Sequence, residues 1–294
     1  MLCTVSSQGL DNPGENELVL LVKSPKNLCR RVLLNFKDAF NLGKIIACSN
    51  QKGGVGKTTT AVNLSAALGL LGKKVLLVDL DPQSNATSGV GVDKRSAKFS
   101  VYDILTGRAP AENAVIKTEF QNLFIIPSSI SLVGAEIELV SAVRRESLLR
   151  TALGGIRDSF DYIFIDCPPS LGLITLNGLN AAEGVLIPLQ CEYYALEGLS
   201  QLINTIRQVK EHYNPALDIE GILFTMFDGR LLLTNQVVSE VKKHFPKKIY
   251  KTIIPKNVKL SEAPSYGMPV CYYDRRSKGS ESYLDLAKEY LNRQ

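Results

Sequence analysis

Short apolar runs recur along the chain from residue 44 onward, and stretches with helical spacing separate several of them. The runs that predict strands are 45–48, 75–78, 123–126, 162–165, 184–187 and 222–225. Their consecutive apolar residues are typical of strands that are buried on both faces. Because strands that alternate with helices need crossover connections, the pattern predicts an α/β fold: a mostly parallel, twisted sheet with helices on both faces.

Two helices are predicted with particular clarity. In the stretch 58–71, helical spacing places five residues on one face, and Gly72 is a typical helix end; the five are Ala61, Leu64, Ser65, Leu68 and Leu71. The last helix, predicted over 282–292, has an ordinary packing face; its members are Tyr283, Leu286, Ala287 and Tyr290.

Residues 1–42 differ from the rest of the chain. They contain two turn-prone pieces, at 12–14 and 24–25, and one apolar run at 18–22. We interpret them as a leader of unknown role, either loosely packed or part of an upstream start that the working protein does not need. No repeat or linker interrupts residues 43–294, which are predicted to form one domain.

Composition excludes several classes. The sequence has no uninterrupted apolar stretch of the roughly 18 to 20 residues that a membrane-spanning helix requires. Its N-terminus does not resemble a signal peptide, and its six cysteines show no Cys-x-x-Cys spacing. We therefore expect a cytoplasmic protein with reduced, mostly packed thiols. With His212 and His244 as the two histidines, a histidine-based metal centre or catalytic triad has little support.

Positive charge is concentrated in one segment. The chain carries a net charge of +5, whereas residues 229–278 alone contain eleven Lys and Arg against three acidic residues. Charge by itself does not distinguish a solvated face from a surface that binds a polyanion.

The loop between the strand 45–48 and the helix 58–71 has the residues of a phosphate site. Glycines leave room for backbone N–H groups to approach a phosphate, and the following helix adds its positive N-terminal dipole. Lys57 would neutralise the β and γ phosphates, and the Thr58 hydroxyl would ligate Mg²⁺. The sequence thus predicts ATP binding by Lys52, Gly53, Gly54, Val55, Gly56, Lys57, Thr58 and Thr59.

Two aspartates complete the predicted catalytic set. Asp81 follows the strand 75–78, where it could orient the attacking water and help to hold the metal. Asp166 follows the strand 162–165, in the position of a carboxylate that holds Mg²⁺ through water.

This loop departs from the usual phosphate-binding pattern, because Gln51 replaces the first glycine and Lys52 adds a second cation. It resembles the deviant Walker A motif of the ParA/MinD group of P-loop NTPases. The resemblance implies an ATP-sandwiched homodimer in which Lys52 reaches the phosphates of the opposing subunit.

Four further stretches, at 79–89, 165–172, 190–198 and 254–264, resemble the chromosomal ParA proteins called Soj. The resemblance covers nearly all of 43–294. It implies that Pro255 and Asn257 lie against the adenine and that Arg230, Lys256 and Lys259 form the DNA-contacting region. Lys256 and Lys259 stand where arginine is frequent in the family, so DNA affinity is expected to differ while the lack of sequence preference is kept.

The same resemblance implies a partitioning ATPase of the nucleoid. Its ATP-bound dimer would bind double-stranded DNA nonspecifically, and a ParB-like centromere-binding protein would stimulate slow, Mg²⁺-dependent hydrolysis and release the DNA. No membrane association is expected.

Three alternatives share the nucleotide loop. A membrane-associated positioning ATPase like MinD would end in a basic amphipathic helix, which the mixed charges of 282–292 do not favour. A nitrogenase-type iron protein would need cluster-ligating cysteines, whereas Cys167 and Cys191 are interpreted as packed thiols. A small-molecule enzyme of the dethiobiotin-synthetase kind would need a second substrate pocket, which no motif marks.

Overall fold

A computed structural model describes residues 17–23, 29–35 and 43–294 of the chain. Its internal contacts divide the chain into two units, residues 1–42 and residues 43–294. In the first unit, strands β1 (Glu17–Lys23) and β2 (Cys29–Asn35) pair in antiparallel fashion. Strand β1 includes the apolar run 18–22, whereas both turn-prone pieces lie outside the described residues.

The second unit alternates strands and helices. Its strands are β3 (Lys44–Cys48), β4 (Val75–Asp79), β5 (Ile116–Lys117), β6 (Leu123–Ile126), β7 (Tyr162–Asp166), β8 (Gly184–Gln190) and β9 (Asp218–Thr225). Its helices are α1 (Lys57–Leu70), α2 (Asn85–Gly89), α3 (Val101–Leu105), α4 (Ala111–Ala114), α5 (Leu132–Glu138), α6 (Leu148–Gly154), α7 (Leu173–Ala181), α8 (Ala195–His212), α9 (Leu232–His244), α10 (Val258–Glu262), α11 (Val270–Tyr273) and α12 (Lys278–Asn292).

The seven strands of this unit form one sheet in the order β5-β6-β4-β7-β3-β8-β9. All neighbouring pairs are parallel except β5 and β6. The six predicted strands are confirmed. The two-residue strand β5 was not predicted, because so short a segment has no detectable period. Strand β9 begins four residues before its prediction, at Asp218, because backbone pairing with β8 continues through its more polar start.

Both faces of the sheet are buried, as the apolar runs predict. Along β3, Ile45 and Ala47 pack into one core while Ile46 and Cys48 pack into the other. Helices α1 and α12 contribute side chains to the second core, and helices α6 to α9 contribute to the first. The structure is therefore an α/β fold, a mostly parallel sheet with helices on both faces.

Helix α1 is enclosed on almost every side, because α12 covers the surface that the sheet leaves free. The hydroxyls of Thr60 and Tyr283 lie 3.1 Å apart and join the two helices. The predicted apolar face is correct except for Leu71, which is 38% exposed, since the helix ends at Leu70 and Gly72 turns the chain with φ of +86°.

Helix α12 begins at Lys278, earlier than predicted, because the Ser277 side chain accepts a hydrogen bond from the Ser280 amide and caps the helix. Its predicted packing face is confirmed; the buried residues are Tyr283, Leu286, Ala287 and Tyr290. Within the described part of the chain, no helix combines the length and apolarity needed to cross a membrane.

The prediction of packed thiols is confirmed where cysteine side chains are described. Cys48, Cys167, Cys191 and Cys271 are all free and buried. Cys3 lies outside the described residues.

Leu68 allows a test of the α1 packing. Leu68 is fully buried in α1, so Leu68→Ala should lower the free energy of unfolding by about 2–5 kcal/mol through lost transfer energy and a residual cavity. Chemical denaturation measures the change. Leu71→Ala is the control from the same helix end and should cost well under 1 kcal/mol. Equal losses in the two variants would contradict the described burial.

Candidate nucleotide site

The loop 49–56 connects the carboxyl end of β3 to the first turn of α1. Gly54 and Gly56 have φ of +75° and +85°, a region that residues with a side chain rarely adopt. No atom lies within 4 Å of a Cβ built on Gly53 or Gly54, so the inner side of this turn is open. The loop thereby has the shape and space that a phosphate requires at a helix N-terminus.

The structure holds this loop by contacts from outside the motif. The Thr225 hydroxyl, at the end of β9, donates a 2.8 Å hydrogen bond to the carbonyl of Val55. The Asn50 amide donates to the Pro188 carbonyl at 2.8 Å, and its side-chain oxygen accepts from the Lys52 amide at 3.0 Å. Asn50 and Thr225 are therefore site-forming residues that sequence reasoning missed, since they belong to no recognisable motif.

Lys52 of the loop and Lys57, the first residue of α1, lie in different environments. Lys57 is buried, and its ammonium donates a 3.1 Å hydrogen bond to the Lys52 carbonyl. The ammonium of Lys52 instead forms an ion pair with Glu192, which follows β8. In the single chain Lys52 therefore already has an anionic partner.

Asp79 and Asp166 lie opposite each other in the register of β4 and β7, and both are fully buried. Asp79 is well satisfied. One of its oxygens accepts hydrogen bonds from the amide of Thr87, at 2.8 Å, and from its hydroxyl, at 2.7 Å; the other accepts from the Asp81 amide at 3.1 Å. Burial nevertheless raises the pKa of Asp79 to about 6.

Asp166 is different, because neither of its carboxylate oxygens accepts a hydrogen bond of normal geometry from a described residue. Burial raises the pKa of Asp166 well above its ordinary value, and the neighbouring Asp79 raises it further; the Thr58 hydroxyl and the Lys57 ammonium act in the opposite direction. A buried carboxylate without partners usually pairs with a cation. Together with the Thr58 hydroxyl, Asp166 therefore offers the oxygen ligands that Mg²⁺ prefers.

Asp81 lies two residues beyond the end of β4, on the same edge of the sheet. It is partly exposed, and one carboxylate oxygen accepts a 2.9 Å hydrogen bond from the Gln83 amide. The structure thus gathers the phosphate loop, Asp81 and Asp166 at the carboxyl ends of three adjacent strands, β4, β7 and β3. Sequence reasoning included Asp79 only within the resembled stretch 79–89 and gave it no role of its own. The Asp-x-Asp spacing at the end of a predicted strand was a signal that could have identified it.

A cavity of about 240 Å³ adjoins the first turn of α1. Gly56 and Thr59 line one side of it, and Pro255 and Asn257 line another. Asn257 also caps α10, since its side-chain oxygen accepts from the Lys259 amide at 3.0 Å. The cavity therefore brings Pro255 and Asn257, which the sequence resemblance assigns to the adenine, next to the start of α1.

The three residues predicted to contact DNA differ in whether their charged groups are paired within the chain. Arg230 forms two hydrogen bonds to Asp228, of 2.8 and 2.6 Å, and these hold the pKa of Asp228 at about 2. Lys259 pairs with Glu262 at 2.9 Å. Lys256 is exposed and forms no ion pair with any residue that the structure describes.

The cysteines considered for an iron–sulfur cluster do not present a surface site. Cys167 is 1% exposed and Cys191 is 9% exposed. Burial raises the pKa of both thiols, Cys191 to about 11. Both thiols are therefore packed and protonated rather than available at an exposed interface.

Comparison with known proteins identifies several relatives. A family model described as an AAA domain matches residues 43–219. The chain is 59% identical over 248 residues to the sporulation initiation inhibitor protein Soj of Bacillus subtilis, covering 84% of this chain and 98% of that protein. It is 53% identical over 252 residues to the chromosome partitioning protein ParA of Myxococcus xanthus, covering 86% and 89%.

A solved structure of cobyrinic acid a,c-diamide synthase from Mycobacterium smegmatis, with bound ADP and magnesium, superimposes with a TM-score of 0.74. The two chains are 37% identical, and the match covers 85% of this chain and 94% of that one.

The orphaned carboxylate of Asp166 generates a stability prediction. Asp166→Asn should raise the free energy of unfolding of the nucleotide-free protein near neutral pH by roughly 1 kcal/mol or more, because an amide is less costly to bury than a carboxylate. The pKa of Asp166 in the folded protein lies above its ordinary value of 3.8. Wild type therefore loses stability as the pH rises from 3.8 to the folded-state pKa. The advantage of the variant should therefore grow from about pH 4 upward.

Thermal unfolding of both proteins across this pH range measures the difference. The same series with added Mg²⁺ and ATP is the second readout, in which the stabilisation of wild type should exceed that of Asp166→Asn. A variant that is less stable than wild type without nucleotide would contradict the described environment.

Proposed function

Because this chain belongs to the ParA/Soj family of chromosome-partitioning ATPases, we propose that it is an ATP-dependent switch for DNA segregation. With ATP bound, two copies associate and bind double-stranded DNA of the nucleoid without sequence preference. A ParB-like centromere-binding protein then stimulates hydrolysis, and the DNA is released. One observation carries the proposal: a phosphate loop with Lys52 and Lys57 lies at the same sheet edge as Asp166, whose buried carboxylate accepts no hydrogen bond of normal geometry from a described residue.

In this proposal each part of the loop has a distinct task. The open turn at Gly53 and Gly54 admits the phosphates, and Lys57 neutralises them from its buried position. Thr58 and Asp166 hold the metal, and bound Mg²⁺ would neutralise charge on the phosphate oxygens. Pro255 and Asn257 contact the base in the adjoining cavity.

Asp81 is proposed to orient the attacking water and to support the metal. Its backbone amide is held by Asp79, and its carboxylate is partly exposed at the same edge as the loop. The chain offers no histidine there, so hydrolysis depends on positioning and charge neutralisation more than on a strong base. Hydrolysis at such a site is slow without help, which fits the proposed stimulation by a partner.

Lys52 is proposed to act on the nucleotide of the opposing subunit. For that, it must exchange Glu192 for a phosphate. A triphosphate with several charged oxygens is a stronger acceptor than one partly exposed carboxylate, so nucleotide in the partner favours the exchange. This competition links self-association to the nucleotide state.

An exposed apolar stripe supports self-association at this edge. Five large apolar side chains between residues 130 and 143 are 60–85% exposed, and they recur at helical spacing in and around α5; they are Ile130, Val133, Ile137, Val140 and Val143. The Glu136 carboxylate in α5 accepts a 3.5 Å hydrogen bond from the Ile174 amide, just after the loop that follows Asp166. The stripe therefore adjoins the nucleotide edge.

Membrane positioning of the MinD kind is disfavoured. The apolar residues of α12 face the core with Tyr283, Leu286 and Tyr290 fully or almost fully buried. Inserting that face into a lipid surface would require the helix to leave α1 and expose the second core.

The proposal is tested by the nucleotide dependence of DNA binding. The purified chain is titrated against a labelled duplex of arbitrary sequence with Mg²⁺-ATP, with Mg²⁺-ADP and without nucleotide. We expect tight, salt-sensitive binding with ATP alone. Lys57→Ala should lose ATP binding and this DNA binding together, whereas the surface control Lys73→Ala should retain both. Identical DNA affinity in all nucleotide states would contradict the proposed switch.

Asp81→Ala separates ATP binding from hydrolysis. We expect this variant to bind ATP and DNA like wild type but to hydrolyse ATP about 100-fold more slowly or worse, because the water is no longer oriented. Phosphate release and the lifetime of the DNA complex after ATP removal are the measurements. Asp285→Ala, on the exposed face of α12, is the control. Normal turnover by Asp81→Ala would remove Asp81 from the catalytic role.

A further inference from the structure

The outer edge of the sheet is covered by a strand-like segment that no strand prediction includes. Residues 248–255 run parallel to the edge strand β9, with bridges from Ile222 to Ile249 and from Phe227 to Pro255. Four backbone hydrogen bonds of 2.7–3.1 Å hold the segment in place. It leads from near the middle of β9 to Lys256 beside the nucleotide cavity, and its six residue steps from 249 to 255 span at most about 20 Å.

A large groove, with a volume of about 1080 Å³, lies between this segment and α9. Lys242 of α9, Lys247 before the segment and Lys251 within it line the groove and are exposed. None of the three ammonium groups forms an ion pair with a residue in the described part of the chain. The groove and the phosphate loop have no residue in common.

The acidic residues that line the groove already have cationic partners. Glu220 pairs with Lys44 at 2.8 Å, and Asp218 pairs with Lys248 at 2.8 Å. Glu183 pairs with Arg157. The groove therefore has an excess of positive charge, which comes from Lys242, Lys247 and Lys251.

We propose that this groove is a second contact for the DNA backbone, with Lys242, Lys247 and Lys251 as its phosphate ligands. It continues the basic surface from Lys256 along the β9 edge. This inference rests on the proposed DNA-binding function and deepens it by adding residues that lie outside the resembled motifs. It adds unpaired lysines to Arg230 and Lys259, which are paired within the chain.

Duplex DNA fits this surface better than a protein partner does. The lysines line one open groove, and about 20 Å of duplex carries roughly a dozen phosphates, so several can be neutralised without a defined sequence. A specific protein interface would instead need apolar or aromatic anchors at its centre. The two aromatic side chains that line this groove, Phe224 and Tyr250, are each 1% exposed and serve the cores.

The test compares charge reversals at the two edges of the sheet. Lys247→Glu/Lys251→Glu removes two proposed phosphate ligands, while Lys73→Glu/Lys117→Glu makes the same charge change before β4 and on β5, in the other half of the sheet. Binding of the full chain to a labelled duplex of arbitrary sequence is measured with Mg²⁺-ATP over a series of salt concentrations. We expect the first variant to lose at least about tenfold in affinity and to reduce the salt slope by about 2.

The outcomes separate this proposal from the proposed function. The Lys73→Glu/Lys117→Glu control should bind DNA within about twofold of wild type, and Lys247→Arg/Lys251→Arg should also retain affinity because it keeps the charge. ATP binding should be unchanged in every variant. If wild type binds DNA with ATP and Lys247→Glu/Lys251→Glu matches the control, the groove contact is wrong and the switch stands. If wild type does not bind DNA in any nucleotide state, both fail.

Discussion

The burial of two carboxylates side by side is the constraint on which the functional edge depends. Asp79 and Asp166 end adjacent parallel strands in register, where water does not screen their mutual repulsion. The two carboxylates differ in the hydrogen bonds that they accept. Asp79 receives three hydrogen bonds and fixes the loop that carries Asp81, whereas Asp166 receives none of normal geometry from a described residue and is left to attract a cation. A well-satisfied carboxylate organises the structure, and its unsatisfied neighbour remains available for chemistry.

Away from this pair, the chain neutralises several of its own cations. Lys52 pairs with Glu192, Arg230 with Asp228, and Lys259 with Glu262. Such exposed or partly exposed pairs contribute little to stability, typically about 0–1 kcal/mol each, so a polyanion or a nucleotide can replace the carboxylate at small cost. The isolated subunit is thus less basic at these positions than its composition suggests.

The segment 248–255, which covers the β9 edge of the sheet, has both a structural role and a proposed functional role. An uncovered β9 would present unpaired backbone groups to other chains, and the segment 248–255 satisfies part of that edge. Because the segment is extended and exposed on its outer side, its lysines can face solvent while its backbone stabilises the sheet. The same segment therefore protects the fold and, through Lys251, provides part of the charge for the proposed DNA contact.

The sequence alone determined the strands, the phosphate loop and the family, because consecutive apolar runs, glycine spacing and Lys52 are local signals. It also placed Asp81 and Asp166 at strand ends. Only the tertiary structure decided that the Asp166 carboxylate lacks hydrogen-bond partners of normal geometry among the described residues, that Thr225 supports the loop and that Glu192 holds Lys52. These are contacts between residues more than a hundred positions apart along the chain, and no local pattern encodes them. Segment 248–255 shows the same limit, since its pairing with the edge of the sheet depends on which element packs alongside.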